Sequence, residues 1–271
     1  MRQYSTKISL TKNDRGIYSI DPIMGCNSGV KDNKLGCYND CYSAKSAKLY
    51  GYDFSKNVKR YFKSSAHYHK IMSDIKRIRL PFVRMGSTGD PSEDWQHTLM
   101  ICEMIDRGIK NNQLDLFSGS KKSKEIVIIT KHWTNLTESQ LSQIKKMNIC
   151  INTSVSAIDL PDELSNRLMQ YEILKNYCKS ILRVVSFDFN KQSSDGLMYS
   201  IIQDKLFKND HIIDTVFRAS KSNPLIKNNV INTSKTKFLG KNAIVSKFNK
   251  KTYFGKCSSC LEMCGSTMLV N

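Results

Sequence analysis

The chain has 271 residues, 40% of them hydrophobic, which is enough apolar material for a substantial core and excludes a disordered protein; one α/β domain is the default for this length. No run approaches the roughly 20 apolar residues that span a bilayer, and Met1-Arg2-Gln3-Tyr4-Ser5-Thr6-Lys7 leads into no apolar stretch, so a reducing cytoplasm is the expected compartment. The 42 basic residues against 24 acidic ones give a net charge of +18, which attracts polyanions by counterion release, nucleic acid foremost among them.

In chain order, the first strand-like run is Ile17 to Ile20, followed by a polar loop from Asp21 to Cys41 that holds three cysteines. Tyr42 to Arg79 reads as helix with a basic face of Lys45, Lys48, Lys56, Lys59, Arg60 and Lys63, which suits either phosphate or plain solvent. Pro81 to Met85 reads as a strand ending in Gly86-Ser87-Thr88-Gly89-Asp90-Pro91, and Ser92, with Glu93, Asp94 and Trp95 behind it, as the cap of a helix burying Leu99, Ile101, Met104 and Ile105. Ile126 to Thr130 is a continuous apolar run, the pattern of a buried parallel strand. Thr137 with Gln140 opens another helix, Asn148 to Ser156 is again strand-like, and Pro161 to Tyr177 helical. A strand at Ile181 to Phe187, a helix at Asp195 to Phe207 and a strand at Ile212 to Phe217 complete the series. Alternation of this kind predicts parallel strands with right-handed crossovers, here a partial (β/α)6 barrel over 1–225, with a basic cysteine-containing extension over 226–271. Sites in such folds gather at the carboxyl ends of the strands.

The nine cysteines fall into two classes. Cys102, Cys150 and Cys178 stand singly in apolar contexts and read as small buried hydrophobes. Cys26, Cys37 and Cys41 share a glycine-containing loop, and Cys257, Cys260 and Cys264 form Cys-x2-Cys-x3-Cys. Close thiols in loops converge on metal, and glycines beside them leave free amides for hydrogen bonds to sulfur. Structural zinc takes four protein ligands, one more than each triplet offers, whereas a [4Fe–4S] cluster held by three cysteines keeps an open iron. One or two clusters, or alternatively zinc, therefore remain the candidates. His67, His69, His97, His132 and His211 lie far from either group in sequence.

With a cysteine triplet after the first strand, the Gly86–Asp90 turn after the second and continuing βα units, the chain resembles the radical S-adenosylmethionine (SAM) superfamily. More narrowly it resembles phage- and plasmid-encoded proteins of the "gene product 88" type through Gly36-Cys37-Tyr38-Asn39-Asp40-Cys41-Tyr42, Arg84 to Pro91, Thr130-Lys131 and Cys257 to Cys264. The resemblance implies a bacterial or phage-infected host, a [4Fe–4S] cluster on Cys26, Cys37 and Cys41 with SAM on the fourth iron, and a reducing electron donor. It further implies that Gly86, Ser87, Thr88, Gly89 and Asp90 receive the SAM amino group, that Ser154, Ser156 and Arg183 hold ribose and carboxylate, and that Asp90 and Arg183 take part in catalysis. The loop reads Cys-x10-Cys-x3-Cys, where most of the superfamily has Cys-x3-Cys-x2-Cys.

Two other functions fit parts of the pattern. One is a zinc-dependent nucleic-acid-binding protein without redox chemistry. The other is a barrel enzyme that exchanges a base, with structural zinc and with Asp90 and Asp188 as its strand-end carboxylates. The Gly-x-x-Gly-Asp-Pro segment also suits a plain turn that closes a strand and caps a helix. Thr130-Lys131-His132-Trp133 stands where a substrate would be met, and Arg183, inside an apolar strand, calls for an anionic partner.

Overall fold

The computed structural model describes residues 2–13, 16–31, 41–111, 124–216, 228–232, 236–238, 244–246 and 263–266. Its centre is a seven-stranded, mostly parallel sheet with helices packed on it, a mixed α/β fold. The short β1 (Thr11–Lys12) pairs antiparallel with β2 (Tyr18–Ser19) at one edge. From β2 onward the order is β5 (Phe82–Met85), β6 (Glu125–Thr130), β7 (Ile149–Ser156), β8 (Lys179–Ser186) and β10 (Ile212–Val216), every neighbouring pair parallel. Small antiparallel pairs join β3 (Ile23–Met24) to β4 (Val58–Lys59), β9 (Asp188–Phe189) to β11 (Val230–Asn232), and β12 (Thr236–Phe238) to β13 (Ile244–Ser246).

Helices run between the parallel strands: α4 (Trp95–Asn111), α5 (Glu138–Ile144), α6 (Pro161–Leu174) and α7 (Ser194–Leu206). Thr137 and Gln140, expected at a helix start, form a capping box, each side chain bonding the other's backbone N–H. Nearer the N-terminus lie α1 (Asn27–Lys31), α2 (Tyr42–Leu49) and α3 (Ser65–Arg77). The single long helix expected from Tyr42 to Arg79 is thus two helices with β4 between them. Gly51 at φ +76° breaks the first, and the Asp53 side chain binds the Ser55 backbone and hydroxyl in a local turn instead of a helical ladder. Ser64 then caps α3 by accepting from His67 N–H.

Alternation along the strands gives the sheet two unlike faces. Met85, Val155, Leu182 and Val184 meet the helices: Cys102 of α4 touches Met85 Sδ at 3.5 Å, and Tyr171 of α6 and Leu206 of α7 join the cluster of Val155, Leu182 and Val184. Met104, expected inside, is exposed, while Leu99, Ile101 and Ile105 of the same helix are buried. The other face carries Ser19, Arg84, Cys150, Asn152, Ser154, Lys179 and Arg183 in registered rows, including Ser19–Arg84 and Ser154–Arg183. Of the four described tail segments, 228–232 meets the main unit through β9 and 263–266 through β7.

Candidate functional site

At the carboxyl end of β5 the chain turns sharply. Gly86 sits at φ +86°, and a Cβ there would run into the Ile129 carbonyl oxygen of β6, so only glycine fits. The turn is held by Asp21, which follows β2 and is buried. Its Oδ1 accepts from the backbone N–H of Gly86 (2.9 Å) and Ser87 (2.8 Å), and its Oδ2 from Thr88 Oγ1 (2.7 Å).

The cysteine loop docks on that turn. Gly25 N–H donates to the Thr88 carbonyl at 3.2 Å, Gly25 and Gly89 form a parallel bridge, and a Cβ on Gly89 would collide with the Ile23 carbonyl. Ser43 Oγ donates to the Ser87 carbonyl at 2.8 Å. Glu93 fastens the next residues: Oε1 accepts from Ser28 N–H (2.7 Å), and Oε2 from Asn57 Nδ2 (2.7 Å) and Ser28 Oγ (3.1 Å). Glu93, expected only as a residue behind the helix cap, ties the loop to the sheet.

Cys26 and Cys41, fifteen positions apart, pack on one small cluster of Ala44, Ala47 and Phe54. Cys41 occupies the N-cap position of α2 without a side-chain capping bond. A Cβ added to Gly29 would stand 2.9 Å from Cys26 Sγ, so the glycine leaves room beside that sulfur. These features fit a thiolate centre on the loop. Cys37, Cys257 and Cys260 lie outside the described residues, and among the described residues no three His, Cys, Asp or Glu side chains stand together as a metal site.

Asp90 is not poised for a ligand. It is buried, and its carboxylate accepts from Ser92 N–H (2.9 Å), Ser92 Oγ (2.8 Å), Thr130 Oγ1 (2.7 Å) and Lys131 N–H (2.7 Å). Burial raises its pKa, with the hydroxyl and amide donors acting in the opposite direction. Asp90, not Ser92, caps the short 3₁₀ turn Pro91–Asp94 that leads into α4, and it ties β5 to β6. That geometry supports the turn-and-cap reading of the segment, with the carboxylate committed to four donors of the protein itself.

The residues after β6 are likewise turned into the protein. Lys131 Nζ and Arg167 Nη1 each meet a different oxygen of the buried Asp159 at 2.8 Å, and Ser156 N–H donates to the same carboxylate at 2.8 Å. Burial alone would raise the Asp159 carboxyl, but Lys131 and Arg167 outweigh it and hold it below its usual value. Arg167 also pairs with Glu163 at 2.9 Å, donates to the Lys131 carbonyl at 2.7 Å and lies over the Trp133 ring. His132, at φ +51°, is buried with Nε2 3.0 Å from Thr153 Oγ1; burial, then Arg167, lowers its pKa to about 3, so the ring is neutral. Thr130, Lys131 and His132, which stand where a substrate would be met, are tied into a buried network of the protein itself. Arg60, expected on a basic face, is buried too, donating to Lys7 O (2.8 Å) and Ser9 Oγ (2.6 Å).

The face opposite the helices keeps the remaining candidates. Arg84 Nη2 and Nε reach Ser87 Oγ at 3.0 and 3.2 Å, and Ser87 Oγ donates to Ser19 Oγ at 2.8 Å. Arg183 Nη2 and Nε donate to Asn152 Oδ1 at 2.9 and 3.3 Å, which gives the guanidinium a buried amide oxygen as one partner. Ser154 stands beside Arg183 in register, and Ser156 Oγ accepts from Ile158 N–H at 3.4 Å. Asp21, Asn152, Asp159 and Arg167 were missed from sequence. Only two left a signal: Asp21 directly follows a strand, and Glu163 with Arg167 has the four-residue spacing of a helical ion pair.

No family model matches the chain, and no curated protein or solved structure is significantly similar to it.

Proposed function

We propose that this protein is a radical SAM-type iron–sulfur enzyme on a partial (β/α) barrel, acting on a macromolecule, with nucleic acid favoured by the net charge of +18. The observation that carries the reading is the docking of the Cys26 loop onto the Gly86–Gly89 turn at the carboxyl end of β5, through Gly25 N–H and the Gly25–Gly89 bridge. This is where parallel α/β folds assemble their chemistry. The strand order supports the barrel, since it advances from β5 to β10 without reversing, unlike an open doubly wound sheet.

Cys26, Cys37 and Cys41 would hold a [4Fe–4S] cluster, which when reduced supplies the electron that splits SAM into methionine and a hydrogen-abstracting 5′-deoxyadenosyl radical. The chain's own residues do the positioning. Asp21 keeps the turn rigid, and Glu93 clamps the loop. The Ser87 and Thr88 carbonyls each retain a lone pair beyond the bond they already accept, an arrangement suited to an ammonium group. Ser154 and Arg183 share one face and adjacent positions, where a carboxylate or ribose would meet a hydroxyl and a cation. Anaerobically reconstituted protein with SAM and dithionite should yield 5′-deoxyadenosine. Zinc in place of iron, a colourless protein and no cleavage would overturn the proposal in favour of a zinc-dependent binding protein.

A further inference from the structure

Charge is shared unevenly between the parts of the fold. Residues 2–13 and 41–80 carry thirteen basic and two acidic side chains, more than half of the net charge of +18, whereas α4, α5, α6 and α7 carry four basic and eight acidic ones. The first group includes β1 and leads into β5, at one edge of the sheet, while α6 and α7 pack on β7 and β8 further along it. Of those thirteen cations only Arg60 is buried. A solvated face needs charge but not charge of one sign, because like charges repel and mixed surfaces avoid that cost.

The backbone sets several of these cations in a row. α2 buries Ala44 and Ala47 in the cluster that holds Phe54 and Cys26, which turns Lys45 and Lys48, one helical turn apart, outward. At the end of α2, Gly51 N–H donates to the Lys48 carbonyl at 3.2 Å and the Gly51 carbonyl accepts from Arg2 N–H at 2.8 Å, so Arg2 and Lys48 flank one corner. From there the N-terminal segment follows the chain after α2, bridged at Arg2–Tyr52 and Lys7–Tyr61, and Lys63 Nζ donates to Thr6 Oγ1 at 2.7 Å. Five residues extend at most about 18 Å, so Arg2 and Lys7 bound a path of about five phosphate steps. Lys56 and Lys59 instead pair with Asp53 and Asp94. Tyrosines interleave with the cations: Tyr50, beside Gly51, is 60% exposed, Tyr61 is 42% exposed, and Tyr4 stacks on Tyr52 with ring centres 4.7 Å apart. An exposed aromatic ring among cations offers an unpaired base a stacking partner, which a base already stacked inside a duplex does not need.

We infer that this row is the docking surface for a single strand of nucleic acid, with phosphates along Arg2, Lys7, Lys45, Lys48 and Lys63 and a base stacked on Tyr50. The inference rests on the reading of the substrate as nucleic acid and adds where the strand lies. It runs over the outer side of α2, one helix diameter, about 10 Å, from the cluster that holds Cys26.

The test is fluorescence anisotropy of a labelled oligothymidine of about 20 nucleotides with the full-length protein, over a range of salt concentrations and without SAM. Arg2→Gln, Lys7→Gln and Lys48→Gln combined should weaken binding at least about tenfold and lower the slope of log affinity against log salt by about 2, at about 0.7 per lost phosphate contact. Tyr50→Ala should weaken binding about fivefold or more and leave the slope unchanged. Lys191→Gln, Lys205→Gln and Lys208→Gln combined remove the same charge from exposed positions around α7 and should change affinity less than about twofold. The reason is distance: five strand spacings, about 24 Å along the sheet, separate β2 from β10, against a screening length of about 8 Å at physiological salt. Equal losses in the two triple variants would show diffuse attraction by net charge and overturn the inference. Unchanged affinity in Tyr50→Ala, or tighter binding to the duplex with the complementary strand, would overturn it as well. With SAM absent from the assay, a protein that binds the strand as expected but forms no 5′-deoxyadenosine refutes the enzymatic reading alone, and one that cleaves SAM without binding the strand refutes this inference alone.

Discussion

Replacing Asp159 by Asn tests whether the strand-end network is a structural keystone. In the native protein the carboxylate faces Lys131 and Arg167 at 2.8 Å each, and the side chains of Arg167 and Asp159 are 2% and 4% exposed. Removing one partner of a buried ion pair leaves uncompensated charge and costs about 3–5 kcal/mol. Arg167 keeps Glu163 at 2.9 Å, which moves the expectation to the lower end, about 3 kcal/mol. Total stability is typically about 5–15 kcal/mol, so the urea midpoint should fall by about 1 M or more, followed by circular dichroism. The wild-type carboxyl lies below its ordinary value, so its contribution is complete above the unfolded pKa of about 3.9 and disappears as pH falls through the folded one. Asp159→Asn should therefore lose stability at pH 7 and approach the parent in strong acid. Glu172→Gln, in a pair whose carboxylate is 57% exposed, should change stability by no more than about 0.5 kcal/mol. A cost below about 1 kcal/mol for Asp159→Asn would refute the argument.

Three further outcomes follow from the same geometry. Neutral His132, with a folded pKa of about 3 against about 6.5 unfolded, makes stability fall as pH drops below about 6.5, by up to roughly 4–5 kcal/mol in the limit; a flat stability profile between about pH 6.5 and 4 would contradict its burial. Gly86→Ala meets the Ile129 carbonyl as well as backbone strain and should cost more than about 2 kcal/mol, whereas Gly51→Ala, equally left-handed but with nothing within 4 Å, should cost about 1 kcal/mol in thermal or urea unfolding. Cys102→Ala should lose about 1 kcal/mol of packing and keep full 5′-deoxyadenosine production, while Cys41→Ala abolishes it; turnover by Cys41→Ala would remove Cys41 from the centre.

The parallel strands were legible because burial on both sides leaves continuous apolar runs, as in Ile126–Val127–Ile128–Ile129, and β6, β7, β8 and β10 fall within a few residues of their expected limits. The break between α2 and α3 was not, because its cause is a left-handed Gly51 and a side-chain turn at Asp53, local events that leave helical periodicity intact on either side. Exposure of Met104 has a similar origin: spacing finds the apolar stripe of α4 but not its angular width against neighbouring helices.

Site chemistry was legible as residue type and much less so as role. Glycines and carboxylates after β5 mark a functional turn equally well whether they face a ligand or each other. Whether they do depends on the number of donors the fold brings to each oxygen, and for Asp90 there are four. The same reasoning runs in reverse at Cys150. Along β7, Cys150, Asn152, Ser154 and Ser156 alternate with Ile149, Ile151, Thr153 and Val155, so the strand presents its most polar side chains to the face away from the helices. A strand buried throughout yet polar on one side needs partners on that side, because unpaired amides and hydroxyls there would carry a desolvation penalty of about 1–3 kcal/mol each. The Cys264 carbonyl is such a partner for Asn152, accepting from its Nδ2 at 3.0 Å, and it also accepts from the Cys150 thiol at 3.7 Å.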